Sequence, residues 1–227
     1  MKNKVLVIVA HPDDEVLGCG GTIAKHVMNG DRVELIVLSD GESSRVNNQS
    51  KTKKNIEKRL LSLKQSSEIL GISKIIKFKF PDNQFDSLPI LNIIQSIESY
   101  VLKYKPNIVY THYINDLNVD HRIVAKSVNT IFRPSFIRKM PNKIYSFEVL
   151  SSTELNFVES NQFKPNYYVD ISKTFKIKLR AFKRYKSELR DFPNGRSEKG
   201  IEVLSNYRGL CSGLKFAEAF ILLKELS

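Results

Sequence analysis

Cysteine is scarce in this chain of 227 residues: the two present, Cys19 and Cys211, lie far apart and neither belongs to a CxxC pair. That excludes a disulfide framework and a thiolate zinc site. Long hydrophobic runs are missing too, so no segment spans a bilayer. The apolar run near the start, Val5 to Ala10, stops after six residues in "HPDDE", which no secretory signal carries, and the cytoplasm is the expected compartment. The chain has no Walker A lysine motif, no linker rich in Pro, Gly or Ser, no internal repeat and no low-complexity tract, so residues 1–227 read as a single domain. Acidic charge is the minority sign, 24 Asp and Glu against 36 Lys and Arg, for a net charge of +12. Attraction to anions follows. The basic residues concentrate at Lys51 to Arg59 and Lys173 to Arg190 with helix-like spacing, which predicts two solvated helix faces and no nucleic-acid groove.

What is present is an alternation. Short β-branched runs at Val5 to Ala10, Val33 to Leu38, Ile75 to Phe80 and Asn107 to Thr111 are separated by helical patterns at about Val16 to Asn29, Lys54 to Leu70 and Leu88 to Tyr104. This predicts an α/β fold, Rossmann-like, with a mostly parallel sheet and helices on both faces. In the last third, "KIYSFEVL" and "NYYVDIS" read as strands, and helices are predicted from about Ile171 to Leu189 and from Lys215 to Leu226. Ligands of such sheets bind beyond the carboxyl ends of the strands, so the residues following each strand carry the functional signal. These are His11, Asp13 and Asp14 after the first strand, Ser39, Asp40 and Glu42 after the second, Asp82 after the third, and His112, Asp116, Asn118, Asp120 and His121 after the fourth.

His11 and Asp14, two residues apart in a turn with Pro12, can bring an imidazole and a carboxylate onto one small cation. A hydrolytic zinc site needs a third His, Asp or Glu and an open fourth position. His121, in the loop expected beside the first, is the best candidate. A competing reading makes Asp13, Asp14 and Glu15 the acidic first turn of the next helix, where the dipole favours them; it leaves His11 and the second acid-histidine loop unexplained. "GCGGT", Gly18 to Thr22, is not a dinucleotide fingerprint, because the acids occupy the turn and the glycines fall inside the helix, where they allow close packing.

The stretch "AHPDDEVLGCGGTIAKHVMNGDRVELIVLSDGE", taken with "DLNVDHR", resembles the LmbE-like (PIG-L) de-N-acetylases, zinc enzymes acting on N-acetylglucosamine-type sugars. "RLLSLKQSSEILGI", "PDNQFDS" and "RGLCSGLKFAEAF" extend the resemblance over most of the chain. It implies one Zn2+ per chain on His11, Asp14 and His121, with Asp13 as general base and Asp120 orienting its neighbours from behind. It further implies an amino-sugar or sugar-conjugate substrate, with Arg59 and Asp82 as contacts near the sugar. The basic balance makes Arg196 and Arg208 candidates to meet an anionic aglycone, the alternative being surface arginines with structural hydrogen bonds. Two positions depart from the pattern. Asn118 stands where several members have a histidine; its amide can donate to an oxyanion but delivers no proton at neutral pH. Ser62 replaces a glutamate common in the helix of Arg59. His112, at the end of the fourth strand, is either a spatial substitute for the missing acid or a structural residue.

Two rivals stand beside the deacetylase. Two histidines and a carboxylate also make an iron facial triad, though HxxD on an α/β pattern argues against an oxygenase. A non-catalytic carbohydrate- or anion-binding member would keep the cleft without the chemistry. Peripheral membrane contact through the lysine-rich helices and a homo-oligomer are both compatible with the sequence, and no transmembrane segment is.

Overall fold

The computed structural model describes residues 2–44, 49–134 and 140–226. In chain order its elements are β1 (Lys4–Val9), α1 (Asp14–Met28), β2 (Arg32–Ser39), α2 (Gln49–Leu70), β3 (Lys74–Phe80), α3 (Ile90–Tyr104), β4 (Ile108–His112), α4 (Val119–Ile131), β5 (Lys143–Phe147), β6 (Tyr167–Asp170), α5 (Phe175–Phe182), α6 (Glu198–Leu210) and β7 (Ala217–Glu225). Among the described residues the strands form one sheet in the order β3-β2-β1-β4-β5-β7-β6. The first five of these pair parallel, while β7 runs antiparallel to both β5 and β6.

The first strand shows why both faces are covered. Its side chains alternate with period two, so Val5, Val7 and Val9 enter one core with α1, α2 and α5, while Leu6 and Ile8, with Ala10 beyond them, enter the other with α3 and α4. The predicted α/β architecture with helices on both faces is what forms. Strand order reverses between β1 and β4, and the loops leaving these two strands carry His11 to Asp14 and His112 to His121. The crevice at such a switch point is where open α/β sheets bind ligands.

Glycines in α1 bring its helix against the sheet. A Cβ added at Gly18 would lie 2.3 Å from the Phe147 ring, and one at Gly21 2.8 Å from Ile171. Gly18→Ala is therefore expected to cost about 1–3 kcal/mol by overpacking, read as a lower urea midpoint with an unchanged slope. At Cys19 the helix leaves helical geometry, with φ −147°. The amides freed there do not go unsatisfied: Gly21 N–H and Thr22 N–H donate to the Glu218 carboxylate at 2.9 and 2.7 Å. Lys178 Nζ completes this buried group, 2.6 Å from Glu218 and 2.8 Å from the Leu17 carbonyl.

Three expectations change. Lys215 to Leu226, predicted as a helix, is the strand β7, because pairing with β5 and β6 on both sides outweighs the helix propensity of its Ala, Glu, Leu and Lys. The helix predicted over Ile171 to Leu189 is helical only at Phe175–Phe182. The basic segments are not simply solvated faces: Arg59 is 1% exposed and Lys178 is 3% exposed, both turned inward to acids. The side chain of Lys51 lies outside the described residues. No helix among the described residues is long and apolar enough to cross a membrane.

Candidate active site and metal centre

The turn after β1 sets the site. Its Asp13 has φ 106°, a left-handed conformation that strains a residue with a side chain. The strain is held by Glu15, whose Oε2 accepts the Asp13 backbone N–H at 3.0 Å while Oε1 accepts the Tyr185 hydroxyl at 2.7 Å. Burial pushes the Glu15 carboxyl up to about 7. Asp13 makes no helix-capping bond. Its side chain turns to other partners, so helix capping does not account for it.

His11, Asp14 and His121 are all buried and present one donor atom each within 4.8 Å of one another. His11 Nδ1 is 3.4 Å from Asp14 Oδ2, and His121 Nε2 is 3.3 Å from the same oxygen. Each imidazole is backed at its other nitrogen by its own acid: Asp120 Oδ2 is 3.0 Å from His11 Nε2, and Asp116 Oδ1 is 3.0 Å from His121 Nδ1. Carboxylates placed so fix the tautomer and leave the inner nitrogen free to ligate. Asp120 is itself fixed by the N–H groups of Asn83 and Phe85, at 2.8 and 3.0 Å. Asp116 accepts from Ser152 and Thr153.

A second grouping of His11, Asp82 and Asp120 is also within ligand reach. The first suits a cation better, because the backbone already occupies Asp120 whereas Asp14 Oδ1 is buried with no hydrogen-bond partner. The donor set of two imidazoles and one carboxylate fits zinc. Charge points the same way. Burial lowers the pKa of both His11 and His121, but Asp120 and Asp14 raise His11 to about 9, and Asp14 and Asp116 raise His121 to about 10. Against the effect of burial, the facing histidines hold Asp14 well below the ordinary carboxylate range. The negative potential that keeps protons on these rings would equally hold a cation.

His112 behaves differently. It stacks on His121 with centroids 3.9 Å apart, and its Nε2 accepts the Ala10 N–H at 2.9 Å. Burial and the neighbouring His121 lower it to about 4, so it is neutral at physiological pH and carries no acidic proton there.

Asp13 sits in a ring of alternating charge. Its Oδ2 is 2.8 Å from Arg196 Nη1 and 3.1 Å from Arg59 Nη2, and both arginines reach across to Glu188. Burial raises the Asp13 carboxyl even against these two cations. Its Oδ1 is buried and has no hydrogen-bond partner. The clamp thus leaves one carboxylate oxygen available.

The cleft over these groups has a volume of about 80 Å³ and is bordered by His11, Asp13, Asp82, Asn118, His121 and Arg196, with Arg59 in its wall. Asn118 Oδ1 caps α4 by accepting the Asp120 N–H at 2.8 Å, and its Nδ2 donates to Asn83 Oδ1 at 3.0 Å. Asp82 accepts from the backbone and hydroxyl of Ser44 at 3.2 and 2.5 Å, while its Oδ1, 3.3 Å from His11 Nε2, has no hydrogen-bond partner. Arg208 lies elsewhere, bonded to both oxygens of Glu148. Sequence reasoning missed Glu188, Glu15 as support, and the pairing of Asp116 with His121. Of these only Asp116 carried a local signal, five residues before a candidate ligand.

Residues 6–132 match the family model described as GlcNAc-PI de-N-acetylase. The diacetylchitobiose deacetylase of Thermococcus kodakarensis is 31% identical over 225 residues, covering 95% of this chain and 81% of that protein. A probable N-acetyl-alpha-D-glucosaminyl L-malate deacetylase of Bacillus cereus is 25% identical, over 83% of this chain and 84% of the other. Among solved structures, the N,N'-diacetylchitobiose deacetylase from Pyrococcus horikoshii superposes with a TM-score of 0.80 at 23% identity, covering 97% of this chain and 84% of that one. GalB, the 4-carboxy-2-hydroxymuconate hydratase of Pseudomonas putida, also superposes at 0.80, with 19% identity over 100% and 98% of the two chains. These structural likenesses establish the fold, and the fold hosts more than one chemistry, so the reaction has to be argued from the site.

Proposed function

The chain belongs to the GlcNAc-PI de-N-acetylase (PIG-L, LmbE-like) family and is an enzyme of amidohydrolase type, and from that premise we propose that it hydrolyses the acetamide of an N-acetylated amino sugar or sugar conjugate. The observation that carries the proposal is one arrangement. Two acid-backed imidazoles and a carboxylate converge beside Asp13, whose Oδ1 has no hydrogen-bond partner.

His11, Asp14 and His121 would hold one zinc ion, which supplies Lewis acidity to the acetamide carbonyl and brings the pKa of water toward neutrality. Asp13 Oδ1 takes a proton from the attacking water while Arg59 and Arg196 keep the other oxygen in place. The same proton then goes to the leaving amine as the C–N bond breaks, giving acetate and the free amino sugar. Asn118 Nδ2 donates a hydrogen bond and transfers no proton, so Asp13 serves in both directions. Asp82 Oδ1 is assigned to a sugar hydroxyl, with Arg59 bordering the same space.

Metal loading tests the ligand assignment. His11→Ala is expected to abolish stoichiometric zinc binding, whereas the wild-type chain takes up one equivalent. Because His11 and His121 stay protonated without metal and must lose those protons to ligate, loading at pH 7.5 should release roughly two protons per zinc. An indicator dye in weak buffer reads this. Uptake without proton release would contradict the assignment, and tightly bound iron with oxygen-dependent turnover would replace zinc hydrolysis with the oxygenase reading.

A further inference from the structure

Asn83 is neither a metal ligand nor the base, yet its hydrogen bonds reach Asp120, Asn118 and, through Ser44, Asp82. It stands in the stretch "PDNQFDS" and borders the catalytic cleft together with Asn118. Its φ of 52° is left-handed, a conformation that asparagine tolerates better than most residues with a side chain. The backbone is held there by its N–H, which donates at 2.8 Å to Asp120 Oδ2, on the carboxylate that backs His11. The side chain, itself exposed, therefore leaves from a fixed point.

The directions of its hydrogen bonds follow from its neighbours. The Asn118 carbonyl is committed to the start of α4, where Oδ1 accepts the Asp120 and His121 N–H groups at 2.8 and 3.4 Å. Its Nδ2 must then be the group that faces Asn83, and the atom it meets at 3.0 Å must be the acceptor, Asn83 Oδ1. That turns Asn83 Nδ2 to Ser44 Oγ, at 3.1 Å, and the Ser44 hydroxyl donates to Asp82 Oδ2 at 2.5 Å. Every donor points the same way, from α4 toward a carboxylate that only accepts.

Asn118 Nδ2 carries two hydrogens and makes no other hydrogen bond among the described residues. The amide is planar, so fixing Oδ1 and one hydrogen also fixes the direction of the second. A water molecule can accept the first hydrogen in place of Asn83, but it has no anchor. We propose that Asn83 is a positioning residue with two arms. Its Oδ1 aims the remaining Asn118 N–H at the oxyanion that develops on the acetamide, and its Nδ2, through Ser44, orients Asp82 for the sugar hydroxyl. This rests on the deacetylase reading. The first arm acts as charge develops and belongs in kcat; the second acts on bound substrate and belongs in KM.

Variants of the full, zinc-loaded chain separate the arms by acetate release from N-acetylglucosamine. Asn83→Gly keeps the left-handed backbone and the N–H to Asp120 while deleting both arms. It is expected to lower kcat and raise KM about fivefold each, the worth of one hydrogen bond, with one zinc per chain retained and the thermal midpoint little changed. Ser44→Ala cuts the second arm alone and should raise KM by as much with kcat unchanged. In an Asn118→Ala background, Asn83→Gly should bring no further loss of kcat, because no amide is left to aim. Wild-type kcat in Asn83→Gly, or wild-type KM in Ser44→Ala, overturns the proposal. So does a kcat loss that is the same with and without Asn118, or loss of zinc in Asn83→Gly, since either marks a general structural role. A wild type that releases no acetate removes the deacetylase reading itself, and this proposal goes with it.

Discussion

Asp13→Asn is expected to lower kcat for acetate release by roughly 10²–10⁴-fold, the usual worth of a positioned general base, with KM little changed and zinc content intact. The substitution keeps the volume of the side chain and removes the lone pair that takes the proton. His11, Asp14 and His121 are untouched, so metal binding is the control that separates lost chemistry from a lost site. Some stability should go as well. Arg59 and Arg196 share Asp13 and Glu188 as counter-charges, and the neutral amide removes one of them. Near-wild-type kcat in Asp13→Asn would move the base elsewhere in the cleft.

Glu218→Ala should be the most destabilising single change outside the site. Glu218 is 4% exposed, pairs with Lys178 and receives the two amides released by the break in α1. Removing it strands a buried ammonium and two N–H groups, and breaking a buried pair from one side costs about 3–5 kcal/mol. For a chain of this size that is a fall in Tm of roughly 6–20 °C. Adding Lys178→Met should recover much of the loss, since the stranded charge is then gone. Thermal unfolding of the two variants reads both effects. A loss below about 1 kcal/mol in Glu218→Ala would mean that water reaches Lys178 and the helix break without it.

The parallel half of the fold was legible because each strand is a short β-branched run and each helix between strands has its own period. The last third was legible only in part: β5 and β6 lie in segments read as strands, but β7 was missed, for a specific reason. Ala217–Glu225 carries helix-forming residues, and only its partners on both sides, one of them 50 residues upstream, make it a strand. Glu218 sits in that strand, so its role in closing α1 was hidden with it. The convergence of His11, Asp14 and His121 was legible because HxxD and a later acid-histidine loop end adjacent strands. The ring around Asp13 was not: Glu188 and Arg196 lie more than 170 residues away, Glu188 carries no local signal, and Arg196, marked as a contact for an anionic aglycone, is joined to Asp13 only by the fold. Arg59 drew notice through resemblance as a sugar contact, while its burial against Asp13 needed the fold.

The most direct test of the deacetylase account is acetate release from N-acetylglucosamine and its conjugates by the full chain, assayed after chelation and again after one equivalent of zinc is restored. The expected result is no release from the stripped protein and recovered release, with one new amine per acetate, on zinc addition. Zinc bound at one per chain with no acetate from any N-acetyl sugar would contradict the account and leave a binding protein in the fold of an enzyme.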